Sequence, residues 1–219
     1  MITKRPLDPA SIRSLTIAGW TGRNREAVEK HIRELEALGV PRPASTPIFY
    51  RVSASLLTCA DSIEVMGGAS SGEVEPVIFG VDGELWVGVG SDHTDRKAET
   101  IGVTLSKQLC AKPVGRMVWR YRDVADRWDT LELRSWITVD GERRLYQEGA
   151  LVNMRPPLEL IRMDRGAETL PDGAAMFCGT LAVHGGITAS ALFEMELRDP
   201  KSGEALSAAY SSISLPERG

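Results

Sequence analysis

The sequence predicts an α+β fold that is mainly β, and two observations support this class. Strand-like runs rich in Val, Ile, Leu and Trp outnumber the segments with helical spacing. Two Asp-Gly pairs, Asp82-Gly83 and Asp140-Gly141, each join two such runs. An Asp-Gly pair between β-prone runs is the strongest short-range signal for a hairpin. We therefore expect a strand-dominated fold with a few peripheral helices.

The individual elements follow from apolar spacing, caps and turn residues. Asn24 is a plausible helix N-cap and Gly39 a helix stop. In the next helix, Ile101, Leu105 and Leu109 would form the apolar stripe. Helices are thus predicted over 24–39, 94–109 and 156–166, with 60–72 as loop. Strands are predicted over 15–20, 48–57, 73–81, 84–92, 114–121, 131–139, 143–147, 174–180 and 191–198.

The length and charge of the chain limit its organisation and its partners. A chain of 219 residues can bury its core as one domain, which we expect over 1–219. Within it, 1–60 would form an N-terminal segment and 61–219 the strand-rich core. The net charge is −4, with Arg and Lys scattered, so we expect no nucleic-acid partner.

Hydropathy and cysteine usage indicate a cytoplasmic protein. No apolar run approaches the ~20 residues needed to span a bilayer, so we expect no membrane partner. The N-terminus also lacks the apolar core of a signal peptide. Cys59, Cys110 and Cys178 are widely spaced, without a CxxC motif, as is typical of free thiols in a reducing compartment.

The first hairpin carries three carboxylates on one face. A two-residue turn makes paired positions sum to 165, so Glu73 lies opposite Asp92 and Glu75 opposite Gly90. Directly paired residues have Cβ atoms roughly 4.5–5.5 Å apart. Three carboxylates this close repel each other unless a cation lies between them. An all-oxygen set favours hard ions, so we expect Mg²⁺ or Mn²⁺, with Ca²⁺ as a further candidate.

An alternative interpretation of the same stretch is the solvated face of an edge strand. Pro76 favours it, because proline lacks the backbone N–H that a central strand needs. Against it, Val77, Phe79 and Trp86 share the parity of the carboxylates, which indicates that the face points into apolar surroundings.

Histidines supply the candidate acid–base groups. On the first helix His31 falls within the apolar stripe, and Glu34 follows one turn later, where it can reach the imidazole. A carboxylate on imidazole raises its basicity, as suits a general base, but such pairs also occur incidentally on helices. His93 has the opposite strand parity to Asp92 and is predicted to be structural. His184, in a Gly-rich loop, could bind substrate or merely occupy a turn.

Read in order, these segments resemble motifs of the fumarylacetoacetate hydrolase superfamily. The resembling segments are Ala18-Gly19-Trp20, His31-Ile32-Arg33-Glu34, Val40-Pro41-Arg42-Pro43, Pro47-Ile48-Phe49-Tyr50-Arg51, Gly72-Glu73-Val74-Glu75, Ser91-Asp92-His93-Thr94-Asp95-Arg96, Ser106-Lys107 and Phe177-Cys178-Gly179-Thr180. Each motif is short, but together they cover nearly the whole chain. Arg51 stands where the family usually has lysine, and the hairpin between the Glu pair and the Asp is shortened.

The resemblance implies a rolled, mixed β-sandwich, usually homodimeric, that acts on 2-oxo acids and 1,3-dicarbonyls. It implies that Glu73, Glu75 and Asp92 bind the metal. His31, oriented by Glu34, would be the general base.

The same resemblance assigns the residues that bind a small carboxylate substrate. They would be Arg51, Lys107, Gly179 and Thr180. The expected activity is hydrolysis of C–C bonds through an enolate stabilised by the metal. The alternatives are a lyase, either a sugar-acid dehydratase or an oxo-acid decarboxylase, and a ligand-binding homologue without turnover.

Overall fold

The fold is built around two large β-sheets. The computed structural model describes residues 1–37, 39 and 41–218, and the side chains of His31 and Leu35 are outside that description. The described strands are β1 (Lys4–Pro6), β2 (Ser14–Gly19), β3 (Ile48–Val52), β4 (Leu57–Thr58), β5 (Ser62–Met66), β6 (Ser70–Ser71), β7 (Val74–Val81), β8 (Glu84–Ser91), β9 (Thr94–Asp95), β10 (Lys112–Pro113), β11 (Met117–Arg120), β12 (Glu132–Val139), β13 (Glu142–Ala150), β14 (Ala174–Phe177), β15 (Leu192–Arg198) and β16 (Ala205–Leu215).

The helices are few and lie between strands. The α-helices are α1 (Arg25–Ala37), α2 (Arg96–Glu99), α3 (Val103–Gln108) and α4 (Pro157–Arg165). Short 3₁₀ turns cover Pro9–Ser11, Ala54–Leu56, Tyr121–Asp123, Ala125–Thr130 and Leu151–Asn153. Asn24 caps α1 by accepting from the amide of Glu26 at 3.0 Å, as its position predicts. Gly166 ends α4 with a φ of 70°, which confirms the predicted stop.

The larger sheet has seven strands in the order β1-β11-β8-β7-β14-β2-β3, and the other has five in the order β13-β12-β15-β16-β5. The main core joins side chains of both sheets, among them Ile78 and Trp119 from the first and Leu133 and Phe193 from the second. A second apolar cluster, which includes Phe79, covers the opposite face of the seven-stranded sheet. The predicted mainly-β α+β class is confirmed.

Both predicted hairpins form, and the register of the first is the predicted one. Val81 pairs with Glu84, and the pairing continues until Val74 meets Ser91. Asp82 and Gly83 have φ values of 54° and 71°. Two successive left-handed residues are the geometry of a type I′ turn, which aspartate followed by glycine adopts readily.

The edge-strand interpretation of β7 is wrong, because β7 lies between β8 and β14. Pro76 is tolerated there for a local reason. The paired stretch of β14 ends where Phe177 meets Val77, so Pro76 falls just beyond it. The Pro76 carbonyl still accepts from the amide of Cys178 at 3.1 Å. The missing N–H therefore costs no regular ladder hydrogen bond on that side.

The predicted helix over 94–109 is wrong in both continuity and face. The segment starts as β9, forms α2, and starts again as α3 after Gly102. Ile101 and Leu105 are exposed, whereas Lys107 is buried. The apolar spacing identified a real helical face, but the contacts of Lys107 turn the opposite face inward.

Two further predictions concern loops and membranes. The predicted loop 60–72 contains β5, which is paired in parallel with β16, and the short strand β6. None of the helices in the described part of the chain is long and apolar enough to cross a bilayer.

The cysteines are free, with Cys110 and Cys178 buried and Cys59 half-buried.

Candidate metal centre

Three carboxylates converge where β7 begins and β8 ends. One oxygen each from Glu73, Glu75 and Asp92 lies within 4.8 Å of the others. The backbone brings them together, because the Asp92 amide donates to the Glu73 carbonyl at 2.9 Å and so extends the hairpin ladder by one step. Glu75 and Asp92 are buried, and Glu73 is partly exposed. The hairpin register thus places these oxygens close enough to share a cation.

Glu75 is held by the backbone on the far side of the cluster. One of its carboxylate oxygens accepts a hydrogen bond from the Gly179 amide at 2.7 Å. Burial raises the pKa of Glu75 well above its usual range, and the negative charge of Asp92 raises it further. This carboxyl therefore keeps its proton to higher pH than an exposed glutamate, unless a cation takes the proton's place.

Asp92 is the most enclosed of the three carboxylates and has two lysine neighbours. The Lys107 ammonium bonds its Oδ2, and the Lys112 Nζ lies 3.1 Å from its Oδ1. Burial opposes ionisation of Asp92, but the two lysines outweigh it and lower its pKa. Its Oδ1 is fully buried, with the Lys112 ammonium beside it. A buried carboxylate that cations hold in its ionised form is in the state that a metal ligand needs.

Glu73 completes the cluster on its open side. The Arg96 Nη2 lies 3.0 Å from a Glu73 oxygen, and the Nη1 of the same guanidinium donates to Glu99 at 3.0 Å. The Glu73 amide donates to the Ser91 hydroxyl at 3.2 Å, which fixes the backbone at this ligand. The side chains of Glu73 and Arg96 are partly exposed, whereas Glu75 and Asp92 are buried. The cluster therefore opens to solvent on the side of Glu73 and Arg96.

The charges and donor types fit a divalent cation. Four carboxylates at the cluster face three cationic groups, which leaves one excess negative charge when all are ionised. A divalent ion would reverse that excess to one positive charge and so favour an anionic guest. All three candidate ligands offer hard oxygen donors, as Mg²⁺, Mn²⁺ and Ca²⁺ prefer.

Lysine and tyrosine side chains close the cluster on its inner side. Lys107 is buried, and its Nζ lies 5.7 Å from the centre of the Tyr50 ring. Burial disfavours its charge, but Asp92 and Glu73 more than compensate and raise the pKa of Lys107. Lys112 is fully buried and donates to the His93 carbonyl at 2.6 Å. Burial lowers the pKa of Lys112, and the negative charge of Asp92 opposes this without cancelling it.

Sequence reasoning missed Lys112, and no local signal marks it. It stands in β10, in the unremarkable segment Ala111-Lys112-Pro113, and pairs in parallel with β4. Only the tertiary fold carries it to Asp92.

Gly179 and Thr180 lie at the cluster, but their hydrogen-bond donors already have internal partners. The Gly179 amide binds Glu75, and the Thr180 hydroxyl donates to the Val74 carbonyl at 2.7 Å. In this structure these donors hold Glu75 and the start of β7, and the expectation that both donate to substrate stays a prediction. Gly179 has a φ of 98°, and a Cβ there would lie 1.8 Å from the Thr21 hydroxyl. Glycine is thus required by both backbone and space.

Gln147 secures the same loop and was also missed. Its amide nitrogen donates to the Thr180 hydroxyl and to the Leu181 carbonyl, each at 2.7 Å. Its amide oxygen accepts from the Val74 amide at 3.0 Å and from the Ser135 hydroxyl at 2.9 Å. This fully satisfied, buried amide ties β7 to the neighbouring sheet.

Arg51 does not reach the carboxylate cluster. Tyr50 pairs with Ile17, and both belong to the apolar cluster on the carboxylate face of the sheet. Arg51 has the opposite parity and donates to the hydroxyls of Thr16 at 3.1 Å and Ser14 at 2.8 Å. Alternation along β3 therefore directs Arg51 to the other face, and its predicted substrate contact is corrected.

The histidines have different settings. The side chain of His31 is outside the described part of the chain, so the His31–Glu34 pair stays a prediction; Glu34 is exposed, 3.8 Å from the Lys30 Nζ. The ring nitrogens of His93 contact the hydroxyls of Tyr210 and Ser70 at 2.8 and 2.9 Å. Burial lowers the pKa of His93 to about 3, in keeping with a structural role. His184 is exposed.

Comparison with known proteins supports the fold. Residues 18–210 match the model of a family described as "Protein of unknown function (DUF2848)". No curated protein matches the chain. Among solved structures, the chain is similar to a yeast protein of the fumarylacetoacetate hydrolase family. The two are 18% identical with a TM-score of 0.65, over 96% of this chain and 97% of that chain.

Two further similar structures contain ligands. One is a 2-keto-3-deoxy-D-arabinonate dehydratase complexed with magnesium and 2,5-dioxopentanoate, 15% identical with a TM-score of 0.65, over 98% of this chain and 76% of that chain. The other is 4-oxalocrotonate decarboxylase from Pseudomonas putida G7 with calcium and acetate, 16% identical with a TM-score of 0.57, over 92% and 78%. At these identities the likeness shows the fold, and the expected fumarylacetoacetate-hydrolase-like fold is confirmed.

Proposed function

The chain belongs to the DUF2848 family, and we propose that it is a divalent-metal-dependent enzyme acting on a small 2-oxo acid or 1,3-dicarbonyl. The observation that carries the proposal is the convergence of Glu73, Glu75 and Asp92 within 4.8 Å in a mostly buried cluster. Solved proteins of similar fold with Mg²⁺ or Ca²⁺ bound support the same class of chemistry. A homodimeric assembly and a cytoplasmic location remain predictions.

Each residue of the cluster has a separate part in the proposed chemistry. Glu73, Glu75 and Asp92 would hold Mg²⁺ or Mn²⁺, and Ca²⁺ is a third candidate. When bound, such an ion supplies Lewis-acid stabilisation of negative charge on an oxo-carboxylate. Lys107 would neutralise charge that develops on the reacting substrate oxygen, because it combines an ammonium group with slight solvent access. Lys112, without access, would hold Asp92 in its ligating position.

The finer proposal is hydrolysis of a C–C bond next to a carbonyl. His31, oriented by Glu34, would take a proton from water, whose oxygen then adds to the carbonyl carbon. The C–C bond breaks, and the departing carbon is released as an enolate that is later protonated. Lyase chemistry is a second candidate, favoured by the similarity to a dehydratase with magnesium and 2,5-dioxopentanoate bound.

Product analysis tests the proposed function and distinguishes C–C bond hydrolysis from lyase chemistry. The Mn²⁺-loaded protein is incubated with a panel of acylpyruvates and 2-keto-3-deoxy sugar acids, with Glu75→Gln as the matched control. Pyruvate plus a second acid from an acylpyruvate would indicate hydrolysis, and a dehydrated product from a sugar acid would indicate a lyase. Tight binding of these compounds without any product would instead support a ligand-binding homologue.

The role of His31 predicts a selective loss of turnover. His31→Ala should lower kcat by about 10²–10⁴, the usual size of a lost general base, while Mn²⁺ affinity stays unchanged. Steady-state kinetics and calorimetric titration with Mn²⁺ measure the two effects separately. Full turnover in this variant would remove His31 from the mechanism.

The proposed role of Lys107 predicts a similar loss of kcat, although the general base is unchanged. Lys107→Met keeps the length of the side chain and removes its charge, so kcat should fall by about 10²–10³, as when an oxyanion donor is lost. Lys112 still pairs with Asp92 in this variant, so Mn²⁺ should still bind. The exposed Lys201→Met serves as a control that should leave kcat unchanged. Equal kcat in both variants would contradict the role of Lys107.

A further inference from the structure

A cavity of about 440 Å³ lies between α1 and the end of β2. Its wall includes Trp20 from the β2 end, Arg25 and Ile32 from α1, and Thr46 and Arg155 from two loops. None of these residues belongs to the carboxylate cluster. The cavity is large enough to hold a small ligand. Its wall combines charged and apolar side chains, as the walls of ligand-binding pockets do.

One contact chain connects the cavity with Glu75. Trp20 and Gly22 line the cavity, and Thr21 between them is buried. The Thr21 hydroxyl lies so close to Gly179 that no Cβ fits there. The Gly179 amide in turn binds the Glu75 carboxylate. Thr21 and Gly179 therefore connect the cavity wall with a candidate metal ligand.

A second contact chain reaches the same cluster from the other side. The Trp20 indole hydrogen-bonds the Tyr50 hydroxyl, and the Lys107 ammonium lies 5.7 Å from the centre of that tyrosine ring. Trp20 has a φ of 58°, a strained backbone conformation for a bulky side chain. Such strain is concentrated at ligand sites, where the surrounding structure enforces it. Both contact chains thus place the cavity beside the carboxylate cluster.

The charged groups of the cavity leave a positive excess. Glu29 in the wall is already neutralised, because Arg42 donates to it at 2.7 Å and Arg33 at 3.2 Å. These bonds, that of Arg42 first, lower the pKa of Glu29 to about 2. Within the part of the chain that the structure describes, Arg25 has no acidic partner. A guest in this cavity therefore meets at least one guanidinium whose charge is not balanced.

Arg155 adds a second guanidinium with unused capacity. Its Nη1 bonds Glu159, but its Nε is buried and has no hydrogen-bond partner. Its backbone is fixed, since its amide donates to the Thr21 carbonyl at 2.9 Å. A buried N–H without an acceptor is unfavourable, and a carboxylate oxygen would satisfy it.

We propose that the substrate is a 2-oxo diacid whose second carboxylate binds in this cavity between Arg155 and Arg25. The proposal rests on the proposed function, which places the 2-oxo-carboxylate end at Glu73, Glu75 and Asp92. Guanidinium groups bind carboxylates through paired N–H donors, so two of them distinguish a diacid from a monoacid. The apolar Ile32 suits a short carbon chain between the two acid groups.

Two ligands that differ in one group test this. The Mn²⁺-loaded full chain is titrated calorimetrically with 2-oxoglutarate and with 2-oxopentanoate, which has a methyl group in place of the far carboxylate. The wild type should bind 2-oxoglutarate about 10- to 100-fold more tightly, the value of a hydrogen-bonded charge. Arg155→Met and Arg25→Met should each reduce that ratio toward one without altering affinity for 2-oxopentanoate. Arg162→Met, on the exposed part of α4, is the control that should keep it.

The possible failures are distinguishable. If the wild type binds both acids equally, or if both variants keep the wild-type ratio, the diacid proposal is overturned while the metal centre stands. Arg25 is exposed and unpaired in the described structure, so its variant should fold even if Arg155→Met does not. If Mn²⁺ does not bind at all, the proposed function fails. Glutarate, which lacks the keto group, then tests the cavity without metal: loss of its binding in Arg25→Met supports the cavity, and no binding to the wild type refutes it.

Discussion

Asp92→Asn is expected to abolish Mn²⁺ binding and to lower the free energy of unfolding of the metal-free protein by about 3–5 kcal/mol. Asp92 is the shared counter-ion of Lys107 and Lys112, both of which are buried. Asparagine keeps the shape but not the charge, so two buried ammonium groups would lose their partner. Removing one member of a buried charge network costs more than the intact network contributes, because the remaining charge is left without compensation.

Glu75→Gln is the matched variant, and it should behave differently. Burial and the charge of Asp92 already favour the neutral form of this carboxyl, so a neutral amide replaces it at little cost. The amide oxygen can still accept from the Gly179 amide. Glu75→Gln should therefore lose Mn²⁺ affinity while keeping the wild-type urea midpoint.

Urea unfolding with a chelator present and calorimetric titration with Mn²⁺ measure the two quantities for both variants. Equal stability of the two variants would show that Asp92 is not needed to balance the lysines. Wild-type Mn²⁺ affinity in either variant would remove the corresponding residue from the proposed centre. The contacts of Asp92 with Lys107 and Lys112 are the reason for the expected loss of stability.

The carboxylate cluster was predictable because it depends on a local hairpin. A two-residue turn fixes the register, and the register fixes which side chains share a face. Val81 opposite Glu84 is sufficient to bring Glu73 opposite Asp92, because each of these carboxylates lies eight residues along its strand from that pair. The apolar residues of the same parity correctly indicated that the face is buried.

The environment of the cluster was not predictable, because it depends on distant segments. Lys112 arrives on β10 through a parallel pair with β4, and Gln147 arrives from the other sheet. Neither has a spacing that marks it. Lys107 was identified only through resemblance, and its helix was assigned the wrong inner face because three apolar residues suggested burial. The ion pair between Lys107 and the buried Asp92 carboxylate therefore overrides the short apolar stripe.

Arg51 shows the limit of carrying a role over by alignment of motifs. Its position one residue after Tyr50 gives the correct strand but the wrong face. Of the two basic residues predicted to bind substrate, Lys107 on α3 does lie at the cluster, where Arg96 on α2 also contacts Glu73.

Mn²⁺ affinity should rise with pH, by about tenfold for each pH unit below the raised pKa of Glu75, because binding displaces one proton. Burial, and then the charge of Asp92, raise this pKa in the metal-free protein. Below it the carboxyl is protonated, so the ion must compete with the proton. Above it the competition ends and the affinity should level off. Calorimetry in two buffers of different ionisation enthalpy, at the same pH, counts the released protons.

The raised pKa of Glu75 also determines whether the metal-free protein gains or loses stability as pH rises. A group whose pKa is higher in the folded than in the unfolded state stabilises the fold fully at low pH and loses that contribution as pH rises through its folded pKa. The chelated wild type should thus become less stable with rising pH in this range, and added Mn²⁺ should remove the loss. Glu75→Gln cannot titrate here, so its unfolding free energy should lack this decline. If the wild type and Glu75→Gln respond to pH alike, and no proton is released on Mn²⁺ binding, Glu75 is not the residue that exchanges a proton for the ion.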